Sequence, residues 1–92
     1  MGRHMAMADN GFARAVTFRV SAARCPQLLC RLMGLFAQQD RLVHHANAIA
    51  TPRRLRVTIT ICGLDDRRAE VIAEKMRQLI SVHSVSWRAA PV

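Results

Sequence analysis

Hydrophobic and polar residues alternate in several short segments, as in strands with one buried face. The first segment covers residues 13–21, with Val16, Phe18 and Val20 on its apolar side. The most regular segment follows Thr51 and Pro52, and its apolar face consists of Leu55, Val57, Ile59 and Ile61. A weaker, alanine-rich segment covers residues 42–49, and a short last one contains Val82, Val85 and Trp87. The pattern predicts four strands.

Two other segments repeat apolar residues every three or four positions, which is typical of helices with one buried side. The first predicted helix covers residues 26–39 and begins at Pro26, whose missing N–H is harmless in a first turn. The second begins after Asp65 or Asp66, either of which can cap it, and its apolar stripe is predicted to reach Ile80. Because glycine inside a helix costs about 1 kcal/mol relative to alanine, Gly34 predicts close packing against a neighbouring element.

The predicted order is therefore strand, helix, strand, strand, helix, strand. Two helices with one apolar stripe each can cover one face of a four-stranded sheet, so we expect an α+β, ferredoxin-like βαββαβ two-layer sandwich. Right-handed crossovers then give an antiparallel sheet of strand order 4-1-3-2, with the second strand at an edge. An exposed edge invites pairing with another chain. We expect a homodimer formed through Val43, His45, Asn47 and Ile49.

Length and composition agree with one small globular domain. The chain has 92 residues, of which 51% are hydrophobic. Residues 1–10 are interpreted as an expression-tag remnant, and residues 11–92 as a single domain. No apolar run approaches the roughly 20 residues of a membrane span, and no secretory signal is recognisable. With three cysteines in no regular framework, we expect reduced thiols and a cytoplasmic location.

The formal net charge of +8 raises the question of an acidic partner. Basic residues are spread along the chain, and readers of single-stranded RNA usually carry aromatic residues on a strand surface. Here Phe18 falls on a predicted core face and Trp87 lies near the C-terminus. We favour a solvated basic surface or a protein contact, and keep a basic nucleic-acid-binding module as the alternative.

Residues with catalytic or metal-binding chemistry are sparse. Cys25 and Cys30 are too far apart for a C-x-x-C metal pair, and His44 and His45 point to opposite faces of a strand. Two catalytic alternatives are a Cys25 nucleophile and an acylphosphatase-like use of Arg24. The first has no histidine with an assured position beside it, and the second has no glycine-rich loop. We expect a non-catalytic protein without metal or cofactor.

The loop before the first helix is the best candidate binding site, because a helix N-terminus presents free backbone N–H groups to an anion. An amino-acid ligand offers a carboxylate to such a helix end, and a paired strand edge could contact its side chain. The candidate effector-binding residues are Arg24, Cys25, Pro26, Gln27, Leu42 and His44.

Two stretches resemble a known family. Residues 31–39 (RLMGLFAQQ) and 74–85 (EKMRQLISVHSV) are similar to the ACT domain of the acetolactate (acetohydroxyacid) synthase small subunit. That family carries an R-V-x-G-L-F-x-x-R-G type stretch in its first helix, and its second helix ends in K-L-x-x-V-x-x-V. The resemblance extends over residues 13–88. Three positions differ from the family: Arg24 replaces an Asn, Gln27 a helix-opening Gly, and Leu42 an Asn.

The resemblance implies a regulatory subunit rather than an enzyme. Members of that family dimerise side by side through edge strands, bind a branched-chain amino acid at the interface and activate a separate catalytic large subunit. We therefore expect a homodimeric regulator of acetolactate synthase in branched-chain amino-acid biosynthesis.

Overall fold

The computed structural model describes residues 14–91. The predicted tag remnant and the start of the predicted domain lie outside the described residues. The strands are β1 (Arg14–Ala22), β2 (His45–Ala50), β3 (Leu55–Cys62) and β4 (Val82–Pro91), and the helices are α1 (Leu28–Gln38) and α2 (Asp66–Arg77). All strand pairs are antiparallel, in the order β2-β3-β1-β4. The predicted ferredoxin-like βαββαβ sandwich and its strand order are confirmed.

The core lies between the two helices and one face of the sheet. Alternation in β1 and β3 sends Val16, Phe18 and Val20 into the same layer as the apolar residues of β3. The ring of Phe18 meets that of Phe36 from α1 edge-on, with 5.6 Å between centroids. The largest fully buried side chains are Phe18, Phe36, Leu28, Leu32, Ile59, Ile61, Leu64, Ile72 and Met76.

Helix α1 begins two residues later than predicted. The Leu28 N–H donates to the Cys25 carbonyl at 3.1 Å, which closes a turn ahead of the helix. Pro26 occupies the second position of that turn, where its fixed φ is favoured. The helix ends in a Schellman-type turn, with Asp40 at a φ of 56° and the Arg41 N–H donating to the Phe36 carbonyl at 2.9 Å.

Helix α2 begins as predicted and ends early. The Asp65 side chain accepts a hydrogen bond from the Arg68 N–H at 2.8 Å, which confirms it as the cap. The helix stops at Arg77, and the predicted place of Ile80 in the apolar stripe is wrong, since this residue is 95% exposed in the following turn. The last strand, predicted to be short, has ten residues.

Gly34 contradicts the packing prediction. A Cβ atom built at this position would have nothing within 4 Å, so no neighbouring element requires a glycine there. Helix α1 is loosely covered on this side.

Within residues 14–91, neither helix has the length and apolar character needed to cross a membrane.

Candidate functional site

A cleft of about 530 Å³ opens between the start of α1 and the free side of β2. We call it the α1–β2 cleft. Its lining residues are Arg24, Cys25, Pro26, Leu29, Ala48, Ala50 and Leu55. Its size lies within the range of small-molecule pockets, and its surface is mostly apolar, with one guanidinium group.

The cleft exists because β2 carries small residues where the helix layer does not reach. Ala48 and Ala50 pair with Val57 and Leu55 of β3, and directly paired residues share a face, so these alanines lie on the helix side of the sheet. Every residue of β2 is nevertheless exposed. Helix α1 buries Leu28, Leu32 and Phe36 over the centre of the sheet. The alanine methyl groups are too small to fill the remaining gap.

The α1 end of the cleft suits an anion. Gln27 is the N-cap residue, yet its side chain makes no capping hydrogen bond, and no acidic residue lies in the first turn. Instead, its Oε1 accepts from Arg31 at 3.4 Å along the helix. The first-turn N–H groups are therefore uncapped by any side chain, and they carry the positive end of the helix dipole. Arg24 adds a full positive charge beside them.

The predicted effector-binding residues fall into two groups. Arg24, Cys25 and Pro26 line the α1–β2 cleft, whereas Gln27 does not. Leu42 and His44 lie near the other end of β2, where the His44 N–H donates to the Thr60 carbonyl at 2.9 Å.

The two groups are well separated within one chain. The loop after β1 lies beside Leu55, whereas His44 Nδ1 accepts a hydrogen bond from the Cys62 N–H at 3.4 Å. Leu55 and Cys62 are the two ends of β3, which at 3.3 Å per residue are about 23 Å apart. One chain therefore does not assemble the predicted site.

The four residues predicted to form the dimer edge differ in position and burial. His45, Asn47 and Ile49 are exposed and share the sheet face away from the helices with their partners on β3. Val43 precedes the strand and packs, partly buried, against the core. Three of the five exposed large hydrophobic residues surround the edge of β2 in the described part of the chain: Leu29, Leu42 and Ile49.

Sequence reasoning missed four lining residues, namely Leu29, Ala48, Ala50 and Leu55. A signal for the alanines was present, because an alternating strand with alanine at every helix-facing position leaves empty space against a neighbouring helix. Leu29 follows the three- and four-residue spacing of the apolar residues of α1, but it lies at the margin of the buried stripe and is 36% exposed.

The cysteines and histidines form no metal centre in the described residues. Cys25, Cys30 and Cys62 carry free thiols, and no three His, Cys, Asp or Glu side chains between residues 14 and 91 come close enough to hold an ion. Cys25 borders the α1–β2 cleft.

A polar network on the opposite side of the molecule was not predicted. Trp87 Nε1 donates to Glu70 Oε1 at 2.9 Å, and Arg77 Nη1 lies 2.9 Å from Glu70 Oε2 and 2.7 Å from Glu74 Oε2. The Trp87 hydrogen bond, with help from Arg77, lowers the pKa of Glu70, and the two carboxylates raise the pKa of Arg77. Arg77 also donates to the Val85 carbonyl at 3.1 Å. This network joins β4 to α2.

The fold, its open strand edge and the bordering cleft define a small ferredoxin-like domain with a candidate ligand site. The model of the ACT-like domain family matches residues 10–92. The chain belongs to the ACT-like domain family. No curated protein matches it in sequence.

Several solved structures share the fold at low sequence identity. The ACT domain of GTP pyrophosphokinase from Chlorobium tepidum has a TM-score of 0.70 at 12% identity, over 80% of this chain and 96% of that one. The C-terminal domain of the MgtC protein from Mycobacterium tuberculosis has a TM-score of 0.71 at 13% identity, over 86% and 89%. The regulatory subunit of aspartate kinase from Thermus thermophilus has a TM-score of 0.63 at 14% identity, over 88% of this chain and 57% of that subunit. At sequence identities this low, the structural similarity shows a shared fold alone.

Proposed function

We propose that this protein is a non-catalytic regulatory ACT domain that dimerises through β2 and binds a small amino acid in the α1–β2 cleft. The observation that carries the proposal is the position of the cleft, which borders β2, the only strand within residues 14–91 whose residues are all exposed. A ligand held there would also touch whatever pairs with that strand, so ligand binding and assembly would be coupled.

A twofold dimer would unite the two groups of predicted site residues. If the β2 strands of two copies pair antiparallel, the end of one strand lies beside the beginning of the other. The loop holding Arg24 and Cys25 in one copy would then approach Leu42 and His44 of the second. Leu42 is 76% exposed, which suits a residue that contacts a second copy or its ligand.

The chemistry of the cleft favours an amino acid with an apolar side chain. The uncapped start of α1 and the Arg24 guanidinium can hold a carboxylate, as anions bind at helix N-termini. Leu29 and Leu55 provide apolar surface a short distance away. Together with the resemblance of residues 31–39 to the acetolactate synthase small subunit, this supports a branched-chain amino acid as effector and the catalytic subunit of acetolactate synthase as partner.

Calorimetric titration with valine, leucine and isoleucine tests the ligand. We expect one of them to bind, and Arg24→Gln to weaken binding about tenfold or more, since a hydrogen bond to a charged group contributes about 1.5–3 kcal/mol. Arg67→Gln is the matched control, because it removes the same charge from an exposed position on α2. Equal losses in both variants would assign the effect to net charge and contradict a site at Arg24.

A mixing experiment tests the partner. The protein is titrated into the acetolactate synthase catalytic subunit of the same genome, and turnover is measured with and without the three amino acids. We expect turnover to rise with added protein. Unchanged turnover, with no complex on gel filtration, would refute this partner.

A further inference from the structure

The sheet face away from the helices is polar and positively charged. Strand register places its side chains in rows that run across all four strands. One row consists of Asn47, Thr58, Arg19 and Ser86, and the next consists of Ile49, Arg56, Ser21 and Ser84. Hydroxyl groups and guanidinium groups therefore alternate over the middle of this face.

Three arginines converge around Ser21. Arg19 and Arg56 are diagonal neighbours on adjacent strands, a spacing within reach of long side chains. Arg54 reaches over from the hairpin, and its Nη1 donates to Ser21 Oγ at 3.3 Å. These residues border a shallow depression of about 450 Å³, which we call the arginine depression. Ser84 and Ser86 form its far side.

Among residues 14–91, no carboxylate pairs with these arginines. The ion pairs of this part of the chain use Arg14 and Arg77 instead. The acidic residues of the same span lie on α2, at its N-cap or after the C-cap of α1: Asp40, Asp65, Asp66, Glu70 and Glu74. The carboxylates of this span thus lie away from the open sheet face, which holds uncompensated positive charge.

We propose that the arginine depression binds the diphosphate group of a small ligand. Guanidinium groups bind phosphate through paired N–H donors, and the neighbouring serine hydroxyls add further donors. One or two guanidinium groups satisfy the donor needs of one phosphate. Three arginines, two on adjacent strands and one at the hairpin, therefore match a longer anion. Neighbouring like charges on a sheet are destabilising, and a bound polyanion replaces their repulsion with attraction.

Recognition here rests on phosphate and not on a stacked base. Phe18 and Trp87 lie on the helix side of the sheet, and Phe36 belongs to α1, so no Phe or Trp ring of the described residues faces the depression. His45 shares the open face but does not line the depression. Inorganic pyrophosphate should therefore bind without any organic group attached. The site lies on the opposite side of the sheet from the α1–β2 cleft, and it does not depend on the proposed amino-acid ligand.

The test is an NMR titration of the full chain with inorganic pyrophosphate at low salt, repeated with inorganic phosphate. We expect saturable one-to-one binding with shifts centred on Ser21 and Ser84, and weaker binding of phosphate. Arg19→Gln and Arg56→Gln should each weaken pyrophosphate binding about tenfold or more, whereas Arg67→Gln should leave it nearly unchanged. A nucleoside diphosphate should bind at the same residues.

Stability without ligand separates a binding role from a structural one. Because each glutamine variant removes like-charge repulsion, it should unfold at the same temperature as the parent or higher. A loss of binding in a fully folded variant then reports on the ligand contact. The proposal is overturned by an absence of saturable binding, by equal losses in Arg67→Gln, or by affinity for single-stranded RNA that grows with its length and exceeds that for pyrophosphate. The last result would make this face a nucleic-acid surface.

Discussion

The two edge strands of the sheet are built in opposite ways. Strand β4 has ten residues and is joined to α2 by the half-buried Trp87 and its hydrogen bond to Glu70. Strand β2 has six residues, all exposed, with alanines on the helix side and Ile49 on the other. Edge strands are sites of pairing unless they are covered or charged, and β2 is neither. The difference indicates that β4 stabilises the domain, whereas β2 is the edge suited to assembly.

The largest expected effect on stability comes from comparing a substitution in β4 with one in β2. Trp87→Ala should lower the free energy of unfolding by about 2–3 kcal/mol, below the 3–5 kcal/mol typical of a fully buried aromatic, because the side chain is only partly buried. Ile49→Ala should change it by less than about 0.5 kcal/mol, since this side chain is 53% exposed. Urea unfolding followed by circular dichroism at low protein concentration measures both. Equal losses would remove the distinction between the edges.

A second prediction concerns how tightly the two helices pack on the sheet. Gly34 on α1 faces open space, whereas Ala73 on α2 is fully buried. Gly34→Ala should therefore raise the free energy of unfolding by about 1 kcal/mol through helix propensity alone. Thermal or urea unfolding measures the change. A destabilised variant would show that α1 is packed more tightly than the structure indicates.

The smallest predicted effect is the pH dependence of the β4 network. The pKa of Glu70 is lower in the folded protein than its ordinary value of 4.5, so the folded state binds this proton less readily than the unfolded state. The carboxylate therefore contributes stability above pH 4.5, and this contribution is lost as the pH falls through the lower folded pKa. Glu70 is exposed, so the effect should be smaller than that of Gly34→Ala.

Glu70→Gln provides the control for this titration, because it keeps an oxygen acceptor for Trp87 and removes the charge. Trp87 is the one tryptophan of the chain, so its fluorescence reports on this network. The parent should lose more stability than the variant between pH 5 and acid conditions below the Glu70 pKa. Identical pH profiles would mean that Glu70 makes no such contribution.

The fold could be predicted because its elements depend on local periodicity. The alternation in β1 and β3 and the cap at Asp65 are properties of a few neighbouring residues. Ile80 could not be placed in this way, since the helix ends where the chain must turn back into β4, and that turn points Ile80 into solvent. The packing prediction for Gly34 was wrong for a related reason. An inefficient helix residue indicates tight packing only when a neighbour is present, and the sequence does not show where α1 sits on the sheet.

The candidate site was predictable in part. The loop before α1 was identified from the chemistry of helix ends, and it lines the α1–β2 cleft. The opposite floor of the cleft was missed because its alanines carry no functional group, and their signal is only the small side chain at every helix-facing position of β2. The arginine depression was also missed, since Arg19, Arg54 and Arg56 come from separate segments and meet only through strand register and the hairpin. Charge counted along the chain does not show how it is divided between two faces.

Sedimentation velocity of three proteins tests the central claim that β2 joins two copies. The variants are Ile49→Lys on β2 and Ser84→Lys on β4, which lie in the same row at opposite edges of the sheet. We predict a dimer for the parent and for Ser84→Lys, and a folded monomer for Ile49→Lys, because lysine removes an apolar contact and places like charges at the paired edge. A monomeric parent, or a dimer that survives Ile49→Lys and dissociates in Ser84→Lys, would contradict it.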